Sequence, residues 1–278
     1  SRRRNNAAPG RAQGSPHSFR DSMIPYNGKL AIFTSFNSYH AYAPYVISLA
    51  QTLGLLSRLG VAWEYLARPS DFHVERAINN TLTELMERDD FTDVLLIDSD
   101  ESWEPEGVVR LLMHPQEIVA ASYRMKNKPT DYVGYLKCKD GVPLGVMLPD
   151  GTALLEAERV AAGFLRLKLS AVRKWAAAYP DLYSDEPDGR KVQFFSRMLG
   201  PDVEPGKQVA YCQDMAFSKR WLDIGGKLWV DPMVKVDHWW MTPYHGDYDK
   251  YLRGNAKEAE AIETVRQMAE AVKARSAA

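Results

Sequence analysis

Along the first half of the chain, apolar positions switch repeatedly between a short continuous run and a helical period, and this predicts alternating strands and helices. Lys29–Ser35 (KLAIFTS) is a brief β-prone run, and Ala43–Leu59 then carries its apolar residues at helical spacing. A second strand is predicted around Val61–Leu66, followed by Ser70 and Asp71 as candidate N-caps and a helical stretch over Val74–Arg88. Asp93–Ile97 (DVLLI) has the pattern of a strand buried on both faces and runs straight into Asp98–Ser99–Asp100. Glu104–Pro105 opens a helix that reaches Leu111 and Leu112, and Ile118–Tyr123 supplies another strand. Such alternation predicts an α/β fold with a mixed, mainly parallel central sheet flanked by helices.

The pattern changes after Lys126. From Tyr132 to Lys168, Gly-separated short runs (YVGYLKCKDG, VPLGVMLPDG, TALLEAERV, GFLRLK) predict antiparallel strands and hairpins, and Leu169–Ala178 predicts a helix. Residues 180–209, with Pro180, Pro187, Pro201 and Pro205 among polar side chains, predict an irregular excursion of the kind that forms binding loops. A helix over Asp214–Leu222, a Gly-Gly turn, a strand over Lys227–Val230 and a β-prone run over Met233–Val236 follow. Residues 1–25 are too poor in large apolar side chains to offset ordering entropy and predict a flexible basic tail. Residues 255–278 predict a terminal amphipathic helix, which leaves 26–254 as one globular domain.

Composition narrows the classes. A chain of 278 residues with 45% hydrophobic side chains can build a sizeable core. A formal net charge of −1 lacks the positive field of a protein dominated by phosphate-backbone contacts, while leaving room for a local basic groove. The tail's Arg2, Arg3, Arg4, Arg11 and Arg20 read as a solvated leader or as contacts to nucleic acid. Cys138 and Cys212 alone offer neither a disulfide framework nor a CxxC pair. No run nears the ~20 apolar residues needed to cross a bilayer, and no signal-peptide block is visible, so a soluble cytoplasmic protein is expected.

The sharpest chemical feature is DVLLIDSDESWEP. In open α/β sheets ligands sit beyond the carboxyl ends of strands, so Asp98 and Asp100 would emerge where substrate is expected. Carboxylates suit Mg²⁺ or Mn²⁺ together with substrate phosphates; the plain alternative is a turn with helix-capping acids. Asp214, at a helix start, is either a cap or a base, and His238 is either a ligand or an ordinary histidine. Trp239, Trp240, Tyr244 and His245 follow, with one of the adjacent tryptophans expected in the core.

The ordered string of motifs resembles that of GT-A glycosyltransferases, particularly small viral and bacterial members, over about Lys29 to Tyr248. The strand with Asp98–Ser99–Asp100 is similar to the family's metal-binding DxD. VERAIN (Val74–Asn79) resembles a segment with a second Arg where Ile78 stands here. ASYRMKN (Ala121–Asn127) and AAGFLRLK (Ala161–Lys168) resemble the basic turn and the Gly-containing strand. CQDMAFSKRWLDIGGKLWVDP resembles the acidic-pair helix, with Gln213 where Glu is commoner, and VDHW puts His238 at a third ligand position.

The resemblance implies a GT-A catalytic domain over 26–254 that uses a nucleotide-sugar donor, a UDP-sugar first, with Mn²⁺ or Mg²⁺ on Asp98, Asp100 and His238. It implies Asp214 as the general base of an inverting transfer, with a retaining route open if Asp214 only binds acceptor. Ser35, Phe36 and Tyr39 are implied at the nucleobase, and Arg76, Asn79, Ser99 and Lys126 along the donor; for Arg76 and Lys126 a surface salt bridge is the alternative. The acceptor expected is a hydroxymethylated pyrimidine in phage DNA, or else a glycan or protein hydroxyl. Two other classes compete: a metal-dependent nucleotidyl- or phosphoryltransferase, weakened by the lack of a P-loop motif, and a non-catalytic carbohydrate- or nucleic-acid-binding module.

Overall fold

A computed structural model describes residues 25–37, 40–69, 73–126, 130–201, 206–240 and 243–254. The predicted basic tail, the C-terminal helix, Tyr39 and the candidate caps Ser70 and Asp71 lie outside the described residues. The first half runs β1 (Lys29–Ser35), α1 (Ala43–Arg58), β2 (Ala62–Arg68), α2 (Val74–Met86), β3 (Asp93–Ile97), β4 (Glu101–Trp103), α3 (Pro105–Met113) and β5 (Ile118–Ala120). The middle is a run of short strands: β6 (Tyr135–Leu136), β7 (Cys138–Lys139), β8 (Val142–Pro143), β9 (Gly145–Met147), β10 (Ala153–Arg159) and β11 (Phe164–Lys168). Then come α4 (Leu169–Ala178), β12 (Tyr183–Glu186), β13 (Gly189–Val192), β14 (Met198–Pro201) and β15 (Gln208–Tyr211). The chain finishes with α5 (Gln213–Asp223), β16 (Leu228–Val230), β17 (Val236–Trp239), β18 (Pro243–Tyr244) and α6 (Tyr248–Gly254).

Nine strands form the central sheet, in the order β2-β1-β3-β11-β5-β16-β10-β6 with β9 also on β10. β1 pairs in parallel with β2 and β3, β11 enters antiparallel between β3 and β5, and β16 lies parallel to β5. β10 is antiparallel to β16, β6 and β9. Only β10 and β11 therefore run against the rest, so the sheet is mixed and mainly parallel. Alternate residues of β1 feed two different cores, as a two-residue side-chain period requires. Leu30 and Ile32 pack with Tyr45, Leu56, Val108 and Leu111 from α1 and α3. Ala31 and Phe33 pack with Leu82, Trp175 and Trp221 from α2, α4 and α5. Burial on both faces is why these strands read as continuous apolar runs.

Local chemistry sets several boundaries. Pro stands in the first turn of α1 and α3, where its missing N–H costs nothing. α5 stops at Gly225, whose φ of +79° takes the left-handed conformation; Gly225 and Gly226 donate to the carbonyls of Leu222 and Trp221. At Gly226 a Cβ would collide with the Trp221 indole, so the second glycine lets helix and turn approach closely. Arg166 on β11 is fully buried and forks onto the carbonyls of His114 at 2.8 Å and Gln116 at 2.7 Å, tying the end of α3 to the sheet.

Two expectations are corrected. Residues 180–209 are not irregular: they contain the hairpins β12–β13 and β14–β15. Val192, Phe194 and Phe195 are fully buried, with Phe195 stacked on Phe217 at 4.4 Å and Phe194 against Trp175 at 5.0 Å. Aromatic anchors thus fold a polar-looking stretch into the core. Neither adjacent tryptophan is a core residue: Trp239 is partly buried, with its indole N–H on Ser102 Oγ at 2.8 Å, and Trp240 is 56% exposed. Among the described residues no helix is long and apolar enough to cross a membrane.

Candidate active site

The site grows from the carboxyl end of β3. Asp98 follows Ile97 directly, and its N–H donates to the Gly163 carbonyl at 2.8 Å, which fixes the turn against the chain entering β11. Asp98–Ser99–Asp100 then turns into β4, where Glu101 pairs with His238 and Val236 with Trp103. That antiparallel register carries the imidazole across more than a hundred residues of sequence to the acidic turn. The Trp239 N–H reinforces it by donating to the Asp100 carbonyl at 2.7 Å.

His238 Nδ1 lies 2.8 Å from the Arg124 carbonyl, which can only accept, so the proton sits on Nδ1. Nε2 consequently faces Asp100 Oδ1 at 3.6 Å, the orientation a ligand histidine takes when its other nitrogen is held by a carbonyl. Tyr123 packs edge-on to the same ring at 5.0 Å. The Lys126 ammonium pairs with Asp100 Oδ2 and lies 5.3 Å from the exposed Trp240 ring. Asp214, in the first turn of α5, accepts a hydrogen bond from the Ala162 N–H, so strand and helix present it jointly.

Electrostatics show these groups share one environment. Burial first, then the charges of Asp100 and Asp214, push Asp98 up to about 7. Burial also raises Asp214 to about 6, opposed by the Ala162 N–H. For Asp100 burial acts in the same direction, yet the neighbouring His238 and Lys126 together outweigh it and hold the carboxyl below its ordinary range. Glu101 is fully buried with neither carboxyl oxygen in a good hydrogen bond, and burial followed by Asp98 and Asp100 pushes it well above the usual range. Gly163 explains how so many oxygens fit: a Cβ there would lie 2.5 Å from Glu101 Oε1 and 2.8 Å from Asp98 Oδ2, and against the Tyr123 hydroxyl.

Among the described residues no three His, Cys, Asp or Glu side chains are grouped closely enough to hold a metal ion as they stand. The donor types near β3 are nevertheless those that suit a hard divalent cation. The His238 imidazole faces Asp100, Asp98 feels the charges of both, and Asp100 already takes a cationic partner in Lys126.

The other expected donor contacts divide. Ser35 ends β1 beside β3, with its hydroxyl buried and without a partner, and Phe36 follows half-buried, 6.0 Å edge-on to Tyr45. Ser99 lies in the acidic turn and Arg76 is exposed in the first turn of α2. Asn79 is buried, and its amide is used inside the fold: Nδ2 donates to Gln193 Oε1 at 3.1 Å and Oδ1 accepts the Phe195 N–H at 2.9 Å. It supports the β13–β14 connection. Sequence reading missed Glu101, Tyr123 and Gly163. The acid abutting the DxD and the lone glycine between two apolar pairs were the available signals.

No family model matches the sequence, and no curated protein matches it. Among solved structures, A197 from STIV shares 13% identity at a TM-score of 0.44, over 76% of this chain and 86% of that one. GalNAc-T7 with UDP, GalNAc and Mn²⁺ shares 9% identity at a TM-score of 0.41, over 82% of this chain and 48% of that one, so this chain spans about half its length. A glycosyltransferase involved in the glycosylation of the major capsid of PBCV-1 shares 10% identity at a TM-score of 0.27, over 55% and 66%. The fold itself is a mixed, mainly parallel α/β sheet flanked by helices.

Proposed function

We propose that the protein is a metal-dependent glycosyltransferase that moves a sugar from a nucleotide-sugar donor, a UDP-sugar, to an acceptor hydroxyl. The observation that carries this reading is the convergence of Asp98, Asp100, His238, Lys126 and Asp214 at the carboxyl end of β3. Asp98, Asp100 and His238 would hold Mn²⁺ or Mg²⁺. Bound there, the cation supplies positive charge to the departing nucleoside diphosphate. Lys126 can transfer its ammonium from Asp100 to a phosphate oxygen, and the unpartnered Ser35 hydroxyl with Phe36 suits a nucleobase edge and face. Asp214, raised to about 6, is ionised at neutral pH and still basic enough to accept the acceptor's proton as the new bond forms, which gives inversion.

The test is a panel of nucleotide sugars incubated with and without Mn²⁺, with hydroxymethylated oligonucleotides and free glycans as acceptors, followed by mass spectrometry. Metal-dependent mass gain of one sugar is expected. Loss of a nucleoside monophosphate to the acceptor would instead identify a nucleotidyltransferase, and no metal-dependent donor binding would leave a binding module.

A further inference from the structure

A cavity of about 410 Å³ opens between α5, β10 and the Gly225–Gly226 turn, one residue along α5 from Asp214. Its walls carry the cations Lys137, Arg159, Lys219 and Lys227 against the acids Glu156 and Glu158, a net positive lining. Three of those cations are answered within the chain. Lys137 reaches Glu156 at 2.8 Å, Lys227 reaches it at 3.7 Å, and Lys219 pairs with Asp223 at 2.5 Å. Arg159 differs. Its guanidinium lies 5.0 Å from the Tyr135 ring and 5.8 Å from the Tyr211 ring, and Nη1 donates to Met215 Sδ at 3.8 Å; among the described residues no carboxylate pairs with it. A thioether and two ring faces leave most of a five-donor fork without a strong acceptor.

The backbone links this fork to the acids. From Arg159 the chain runs to Ala162, whose N–H holds Asp214, and to Gly163, whose carbonyl holds Asp98. Three residues span at most ~11 Å. We propose that Arg159 is an acceptor-binding residue. It takes the phosphate ester of an anionic acceptor whose reacting hydroxyl reaches Asp214, the Cα atoms of Arg159 and Ala162 lying at most ~11 Å apart. This rests on the reading of Asp214 as the base. A guanidinium fork matches a phosphate in geometry as well as charge. The Tyr135 ring, 63% exposed beside it, offers a face to the sugar or base attached to that phosphate. The cavity has room for such a unit, not merely for an isolated carboxylate.

The test uses the full chain in EDTA without donor: a fluorescein-labelled oligothymidylate is read by anisotropy, and glucose 6-phosphate, glucose and glucuronate are each titrated by calorimetry as well as used as competitors. At least one phosphate probe is expected to bind, with Arg159→Gln weakening it at least about tenfold and Arg159→Lys by less. The oligonucleotide alone binding assigns a polynucleotide acceptor, and glucose 6-phosphate alone a small phosphorylated one. Tyr135→Ala, at an exposed ring, is expected to weaken the bound probe severalfold and serves if Arg159→Gln fails to fold. The proposal is overturned if neither phosphate probe binds, if glucose or glucuronate competes equally well, or if the variants bind like wild type. UDP with Mn²⁺, titrated separately, distinguishes the two readings. Its binding without phosphate binding at Arg159 overturns only this inference, and the reverse result overturns the transferase reading and leaves Arg159 a phosphate-binding residue without an acceptor role.

Discussion

Asp98→Asn is expected to make the metal-free protein more stable while removing its response to Mn²⁺. Burial, then Asp100 and Asp214, hold the Asp98 carboxyl at about 7 in the fold, against 3.8 for the ordinary group. The folded chain therefore binds this proton more tightly than the unfolded chain. Its contribution to stability is fully present below pH 3.8 and is lost as pH rises through about 7. At ~1.4 kcal/mol per pH unit, the ionised carboxylate costs at most about 4 kcal/mol at pH 8, and any shift of the nearby Lys126 ammonium toward it lowers that figure. Asn keeps the shape without the charge, and the backbone bond from residue 98 to Gly163 is untouched. Urea unfolding in EDTA at pH 5 and pH 8 measures the effect. Wild type should lose stability between the two, and the variant should lose less and exceed wild type at pH 8 by about 1–4 kcal/mol. Its residual slope comes from Glu101 and Asp214, which are also raised. Saturating Mn²⁺, at a hundred times its Kd, should then stabilise wild type by about 2.7 kcal/mol and the variant hardly at all. A variant less stable than wild type at pH 8 in EDTA, or a wild type indifferent to pH over this range, would refute the reasoning.

Three further outcomes are expected. Asp214→Asn should abolish transfer yet bind UDP with Mn²⁺ as wild type does, and wild-type kcat/KM should rise with pH through about 6 as the base ionises. Gly163→Ala forces a methyl among Tyr123, Glu101 and Asp98; calorimetric titration should show Mn²⁺ affinity falling about tenfold or more, and thermal unfolding a loss of about 1–3 kcal/mol. Asn79→Ala should cost about 1–3 kcal/mol in urea unfolding by orphaning the buried Phe195 N–H, with donor KM unchanged, and a large KM effect with normal stability would return Asn79 to the donor site.

Much of the fold was legible because its signals are local. Lys29–Ser35, Asp93–Ile97 and Leu169–Ala178 have the bounds their patterns predict, since each side chain there is committed to one face of a core. The polar stretch 180–209 misled because its structure depends on distant partners. Phe194 and Phe195 fold it by reaching Trp175 and Phe217, and Thr83 Oγ1 accepts the Val192 N–H at 3.0 Å. Asn79 shows the same dependence: its partners Gln193 and Phe195 lie more than a hundred residues away, so its place in the fold is not visible locally.

The site divides along the same line. Asp98 and Asp100 could be placed from the sequence because a strand's exit is a local event, whereas their meeting with His238 depends on β4, three residues long, pairing with β17. Glu101 carried only the weak signal of an acid next to the DxD, and its inward burial beside Asp98 follows from that pairing. The physical consequence links placement to chemistry. Three acids gathered at one strand end repel each other, so at neutral pH the metal-free fold must keep protons on them or find cations, and Lys126 already supplies one. A divalent ion entering such a site would displace protons that are held unusually tightly. Its apparent affinity should therefore climb with pH up to about 7, more steeply than at a lone surface carboxylate.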